Sequence, residues 1–163
     1  MTKHIVLALG TSLGDKKKNL IDAKKFIESI THPPLLKSSI WETDPVGVAK
    51  NVFFNAVIST SFLGSAEDLI KLIKDFERDY GRDLSAPKWS DRLIDIDIIT
   101  YGTQYSITSN LEIPHPQYKN RLFVLNPLHE IYPNWIDPIS GEHIDELIFK
   151  AAPLYLSKKS LKW

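Results

Sequence analysis

Two carboxylates separated by one residue, Asp95 and Asp97, interrupt an apolar run, Leu93-Ile94-Asp95-Ile96-Asp97-Ile98-Ile99. Branched side chains and the absence of glycine or proline predict a β-strand there. On a strand of period two, Ile94, Ile96 and Ile98 share one face. Asp95 and Asp97 share the other, with Cα atoms roughly 6.5–7 Å apart. Each carboxyl has an unperturbed pKa of about 3.9, so at neutral pH the pair repels unless a cation lies between them. An all-oxygen pair suits a hard ion such as Mg2+, which takes one or two protein carboxylates and completes its shell with water and phosphate oxygens. Taken alone, the pair reads equally as the solvated face of a half-buried strand.

The neighbouring residues favour the first reading. Arg82, Lys88, Arg92, His115, Lys119 and Arg121 supply cationic or imidazole groups, Phe53, Trp89 and Phe123 supply aromatic surface, and Asn55 places an amide within an apolar run. Carboxylate-held Mg2+ with arginines suits phosphoryl transfer, in which guanidinium groups neutralise developing charge. Aromatic rings beside an amide suit a flat heterocycle whose edge carries donors and acceptors. Asn55 is also readable as a core amide satisfied by neighbouring backbone, and His115 as a structural imidazole that Pro114 and Pro116 hold in an extended segment.

The elements that must position these groups follow from periodicity. Ile5 to Leu9 reads as a first strand, closed by the turn Gly10 to Asp15. Leu20, Ala23, Phe26, Ile27 and Ile30 give helical spacing over 16–30, with Ser12 or Asp15 near its cap. The turn lacks the Gly-Lys-Ser/Thr ending of a phosphate loop. Leu35 to Trp41 predicts a second strand and Val52 to Phe62 a third. Ser65 to Tyr80 is the clearest helix, with Ser65 as a cap candidate and Gly81 as its stop. Residues 82–91 form a loop into the acidic strand. Gly102 to Asn110 reads as a turn or short hairpin, Pro127 to Ile131 as a short helical piece, and the chain from Asp137 onward as a small finishing element with a lysine-rich tail. The pattern predicts one α/β unit over 1–163, two helices against a mainly antiparallel sheet.

Composition narrows the classes. Twenty basic and twenty acidic residues cancel, which argues against a general nucleic-acid or acidic-membrane binder. There is no cysteine, so disulfides, thiolate catalysis and cysteine-held metals are excluded. The N-terminal apolar run is too short for a signal peptide, and none approaches the ~18 apolar residues of a membrane span. A cytoplasmic monomer with no nucleic-acid or membrane partner is the expectation.

The segment Lys88-Trp89-Ser90-Asp91-Arg92-Leu93-Ile94-Asp95-Ile96-Asp97-Ile98-Ile99 resembles the signature of the 6-hydroxymethyl-7,8-dihydropterin pyrophosphokinase family of folate biosynthesis. Leu9 to Asp15, Phe53-Phe54-Asn55-Ala56, Ile113-Pro114-His115-Pro116 and Arg121 to Leu128 resemble its other blocks, in order, across roughly residues 5–135. The resemblance implies a ferredoxin-like α+β fold in three layers and transfer of pyrophosphate from ATP to a dihydropterin. By position, Asp95 and Asp97 would bind two Mg2+ ions, and Arg82 and Arg92 would join them as catalytic residues. Ile70, Lys74, Glu77, Trp89, Arg92, Ile98, His115 and Arg121 would meet ATP. Thr43, Val46, Phe53, Asn55, Trp89, Asp95 and Phe123 would meet the pterin. The chain departs from the family pattern at Leu84, where an arginine is common, at Ser90-Asp91, where glycine or alanine precedes proline, and at Pro116, where an aromatic often follows the histidine. A binding protein that has lost turnover and a small RNA-binding module are the rival readings.

Overall fold

The computed structural model of the chain describes residues 1–45, 47–81 and 91–163. Val46, Arg82, Leu84, Lys88, Trp89 and Ser90, all singled out from the sequence, lie outside the described residues.

Strand β1 (Thr2–Thr11) and strand β4 (Phe53–Leu63) pair antiparallel along their length, from Thr2 opposite Leu63 to Thr11 opposite Phe54. Helix α1 (Lys16–Ile30) follows β1, and helix α2 (Ala66–Asp79) follows β4. Asp15 caps α1 by accepting the Lys18 N–H at 3.1 Å. Ser65, the cap candidate, closes a reciprocal capping box with Asp68 at α2. Gly81 ends that helix with φ 98°, a backbone conformation that favours glycine.

Strands β2 (His32–Lys37) and β3 (Ile40–Thr43) both pair with β4, and β5 (Asp95–Tyr101) pairs with β1. The sheet order β5-β1-β4-β3 is that of two interleaved βαβ units, each crossover joining parallel strands with one antiparallel strand between them. The order confirms the ferredoxin-like expectation. The single strand expected over 35–41 is instead two. Ser38 and Ser39 part them: the Ser39 N–H turns to the Glu130 carboxylate, and the Ser38 hydroxyl accepts the Val57 N–H.

Alternation along the strands sends apolar side chains to both faces. Ile5, Leu7, Ile58, Ile96 and Ile98 pack with Leu20, Ile27, Leu69 and Ile73 of α1 and α2. Phe26 and Phe76 stack at 4.3 Å between these two helices. On the opposite face Val6, Val57 and Ile99 pack beneath helices α3 (Leu122–Ile131) and α4 (Ile144–Lys150). Two helices against one sheet therefore becomes two on each face.

The helical piece expected at Pro127 begins earlier, at Leu122, because Pro127 is tolerated inside α3 while Val124, Leu125 and Leu128 bury one stripe. Strands β6 (Ser106–Ile107) and β7 (Glu112–Ile113) make the short hairpin predicted after Gly102. The tail does more than finish the chain. Strand β8 (Leu156–Lys159) extends the main sheet beside β3. Trp163 is buried, its Nε1–H donating to the Ser38 carbonyl at 2.9 Å. Among the described residues no helix is long and apolar enough to cross a membrane.

Candidate active site

Strand register sets the floor of the site. Asp95 lies opposite Gly10 on β1, Gly10 opposite Asn55 on β4, and Asn55 opposite Trp41 on β3. Asp97 lies opposite Ala8. Cross-strand partners point to the same face about 4.5–5.5 Å apart, so the two carboxylates flank residues with almost no side chain. Space remains above them, where the N-terminal turn of α3 forms a roof.

The result is one cavity of about 470 Å³. Asp95, Asp97, Arg92, Lys74, His115 and Arg121 line it, and so do Thr43, Phe53, Asn55 and Phe123. Ten of the residues proposed from the sequence meet in this space. Asp97 keeps 37% of its side chain open to the cavity. The surrounding protein still pushes its carboxyl well above the usual carboxylate range, first by desolvation and then through the charges of Asp95 and Glu77, against Arg121 and Lys74.

The cations surround this pair. An Arg92 nitrogen lies 3.4 Å from Asp95 Oδ1. Arg121 caps α3, with its guanidinium carbon 5.6 Å from the Phe123 ring centre. Desolvation lowers the Arg121 pKa and Asp97 and Asp95 raise it. A guanidinium keeps its charge at such a site. His115 is held from both sides, its N–H donating to the Ile99 carbonyl at 2.8 Å and its Nδ1 accepting the Gln117 N–H at 3.1 Å. The proton of the neutral ring is therefore on Nε2, which faces Asp97 Oδ2 at 3.9 Å.

The other end is apolar with one polar edge. Asn55 is buried, and its Nδ2 donates to the Trp41 carbonyl at 3.0 Å and to Thr43 Oγ1 at 3.1 Å. The reading of Asn55 as a satisfied core amide therefore holds. Its amide hydrogens anchor β3, and its Oδ1 is the atom left to accept from a ligand.

Three expected contacts fall elsewhere. Glu77 is fully buried and accepts the Ile96 N–H at 2.8 Å, fastening α2 to β5 instead of lining the cavity. Ile98 points into the core on the opposite face of the sheet. Ile70 lines a neighbouring hollow, which Lys74 also borders. The cavity includes Ala8, Gly10, Pro116, Gln117 and Val124, which the sequence reading did not assign to the site. The available signal for the first two was the taper Val6, Ala8, Gly10 along one face of β1.

The comparisons with known proteins point to one family. A family model described as "7,8-dihydro-6-hydroxymethylpterin-pyrophosphokinase (HPPK)" matches residues 6–133. A Synechocystis sp. protein named "2-amino-4-hydroxy-6-hydroxymethyldihydropteridine pyrophosphokinase" is 33% identical over 144 residues, 88% of this chain and 73% of that protein. A Bacillus subtilis protein of the same name is 34% identical over 133 residues, 80% of this chain and 79% of its own. A Plasmodium falciparum HPPK-DHPS structure with pterin and p-hydroxybenzoate shares the fold, with a TM-score of 0.71 at 15% identity. That match covers 92% of this chain but 43% of the Plasmodium chain. Sequence and fold together show that the chain belongs to the 7,8-dihydro-6-hydroxymethylpterin pyrophosphokinase family of folate synthesis.

Proposed function

We propose that the chain transfers pyrophosphate from ATP to the hydroxymethyl group of 6-hydroxymethyl-7,8-dihydropterin and releases AMP. The observation that carries the reading is a cavity that joins paired carboxylates and cations at one end to aromatic rings and an amide at the other.

The chain's own groups divide the work. Phe53 and Phe123 offer faces to a planar pterin, and Asn55 Oδ1 with Thr43 reads its edge. Arg92, Arg121, His115 and Lys74 receive the triphosphate and hold its β-phosphorus in line with the hydroxymethyl oxygen. Their positive charge opposes the charge that spreads over the phosphate oxygens as the bond to AMP breaks. His115 is a phosphate donor here, through Nε2. Arg82, Val46 and Trp89 belong to the same proposal by family resemblance alone.

The donor set fits Mg2+. Among the described residues there is no cluster of three His, Cys, Asp or Glu groups that could hold a metal. A phosphate-borne Mg2+ needs only one or two carboxylates, and Asp95 and Asp97 are a pair whose mutual repulsion a divalent ion relieves. Two ions held there would supply charge neutralisation on the phosphate oxygens.

The test is AMP release with and without the dihydropterin, under Mg2+ and under chelation. Asp97→Ala is expected to lower pterin-dependent AMP release by about 100-fold or more, the scale seen when a group that stabilises transition-state charge is removed. Release near the parent rate would show that the metal assignment is wrong. Heat of pterin binding without AMP formation would show a binding protein.

A further inference from the structure

Asp91 immediately precedes Arg92 and has no part in the roles above. Its carboxylate reaches back some forty residues in sequence to the loop before β4. There Oδ2 accepts the Lys50 backbone N–H at 2.9 Å and Oδ1 accepts that of Asn51 at 3.1 Å. Desolvation raises this carboxyl, but the two backbone bonds, with the Ser12 and Asn51 side chains, outweigh it and hold the pKa below its ordinary value. Asp91 is a charged acceptor with two adjacent amide donors.

The position of this joint matters. Asn51 stands two residues before Phe53, the aromatic wall at the start of β4. Asp91 stands one residue before Arg92, whose side chain lines the opposite end of the cavity. Arg92 has its own anchor on the glycine turn. Its N–H donates to Ser12 Oγ at 2.9 Å, and its carbonyl accepts the Ser12 and Leu13 N–H groups at 2.9 and 3.2 Å. Residues 50–53 therefore connect through Asp91 to a segment that the turn after Gly10 already fixes.

We infer that Asp91 is a positioning residue for the acceptor substrate: it ties the loop before β4 to the fixed segment at Arg92, so that the Phe53 wall is in place before the pterin arrives. A proline at this position, usual in the family pattern, has no side-chain acceptor for those amides. The device belongs to this chain's own residues. Its physical basis is preorganisation: a loop ordered in advance does not have to be ordered by the ligand. The inference rests on the proposed pyrophosphokinase activity.

The experiment compares wild type, Asp91→Ala and Asp91→Asn in steady-state AMP release, together with amide hydrogen exchange at Lys50 and Asn51. Asp91→Ala is expected to raise the KM for dihydropterin about tenfold, the scale of one charge-assisted hydrogen bond. The KM for ATP stays within about twofold, because the Arg92 backbone keeps its bonds to Ser12 and Leu13. Exchange at both amides accelerates. Asp91→Asn keeps one acceptor oxygen and falls between the two. An unchanged KM for dihydropterin in an active Asp91→Ala enzyme, or equal rises for both substrates, overturns the positioning role alone. A wild type without pterin-dependent AMP release overturns the functional reading, and the acceptor role with it.

Discussion

Glu130 gives the sharpest test of how the two halves of the site are held together. This residue lies on α3, the helix whose first turn carries Phe123, and its carboxylate clasps the start of β3. It accepts the Ser39 N–H at 3.0 and 3.1 Å, the Ser39 hydroxyl at 2.7 Å and the Trp41 indole N–H at 3.0 Å. Hydrogen bonds to a charged group contribute about 1.5–3 kcal/mol each. These donors are only part-buried and can turn to water, so Glu130→Ala is expected to cost about 2 kcal/mol in total. For a domain of this size that is a fall of about 6 °C in Tm.

The pH dependence gives a second, independent signature. Desolvation pushes the Glu130 carboxyl up, but bonds from Ser39 and Trp41 and the charge of Lys158 outweigh it and hold the pKa below its usual value. A pKa depressed in the folded state contributes stability that is present above the unfolded value. It is lost as pH falls through the folded value. The gap between wild type and Glu130→Ala is therefore widest at neutral pH and narrows below about pH 4. Urea unfolding at pH 7 and pH 3.5 measures it. A gap below about 0.5 kcal/mol at pH 7, or one that does not change with pH, would falsify the reasoning. Because the Trp41 carbonyl also receives the Asn55 amide, the same variant is expected to raise the KM for dihydropterin.

Two further outcomes follow from buried groups. Asn55→Ala removes the acceptor proposed for the pterin edge and frees the Trp41 carbonyl and Thr43. It is expected to raise the dihydropterin KM about tenfold and to cost about 1–2 kcal/mol of stability; kinetics and urea unfolding on one preparation check both. Leu125→Ala empties a fully buried position beneath the α3 roof. It should cost about 2–5 kcal/mol, read as a shift in the urea midpoint, and a loss under about 1 kcal/mol would place the roof's anchorage elsewhere.

Local pattern made much of this protein legible. Period two placed Asp95 and Asp97 on one face and Ile94, Ile96 and Ile98 on the other, and the structure keeps that division. The Ser65 cap and Gly81 stop bounded α2 to within a residue. Pattern failed where one residue answered to distant partners. Pro127 hid the first turn of α3, because packing against Val6, Val57 and Ile99 overrides a local helix breaker. The strand expected over 35–41 is divided because Glu130, some ninety residues away, takes the Ser39 N–H. Glu77 and Ile98 resembled ligand contacts in sequence, but their side chains serve the packing of α2 on β5.

The sequence by itself determined the chemistry: which groups carry charge, which are aromatic, and that two carboxylates share a strand face, since these depend on residue type and period alone. Tertiary structure decided the geometry. Antiparallel register set Gly10 and Ala8 beside the carboxylates and left room above them, and the return of α3 brought Arg121 and Phe123 over that room. Asp91 shows the difference most plainly. In sequence it is a departure from a family pattern, and in space it accepts two backbone amides of the loop that leads to Phe53. Hydrogen-bond partners that distant in sequence leave no periodic trace, because only the folded chain brings them within reach.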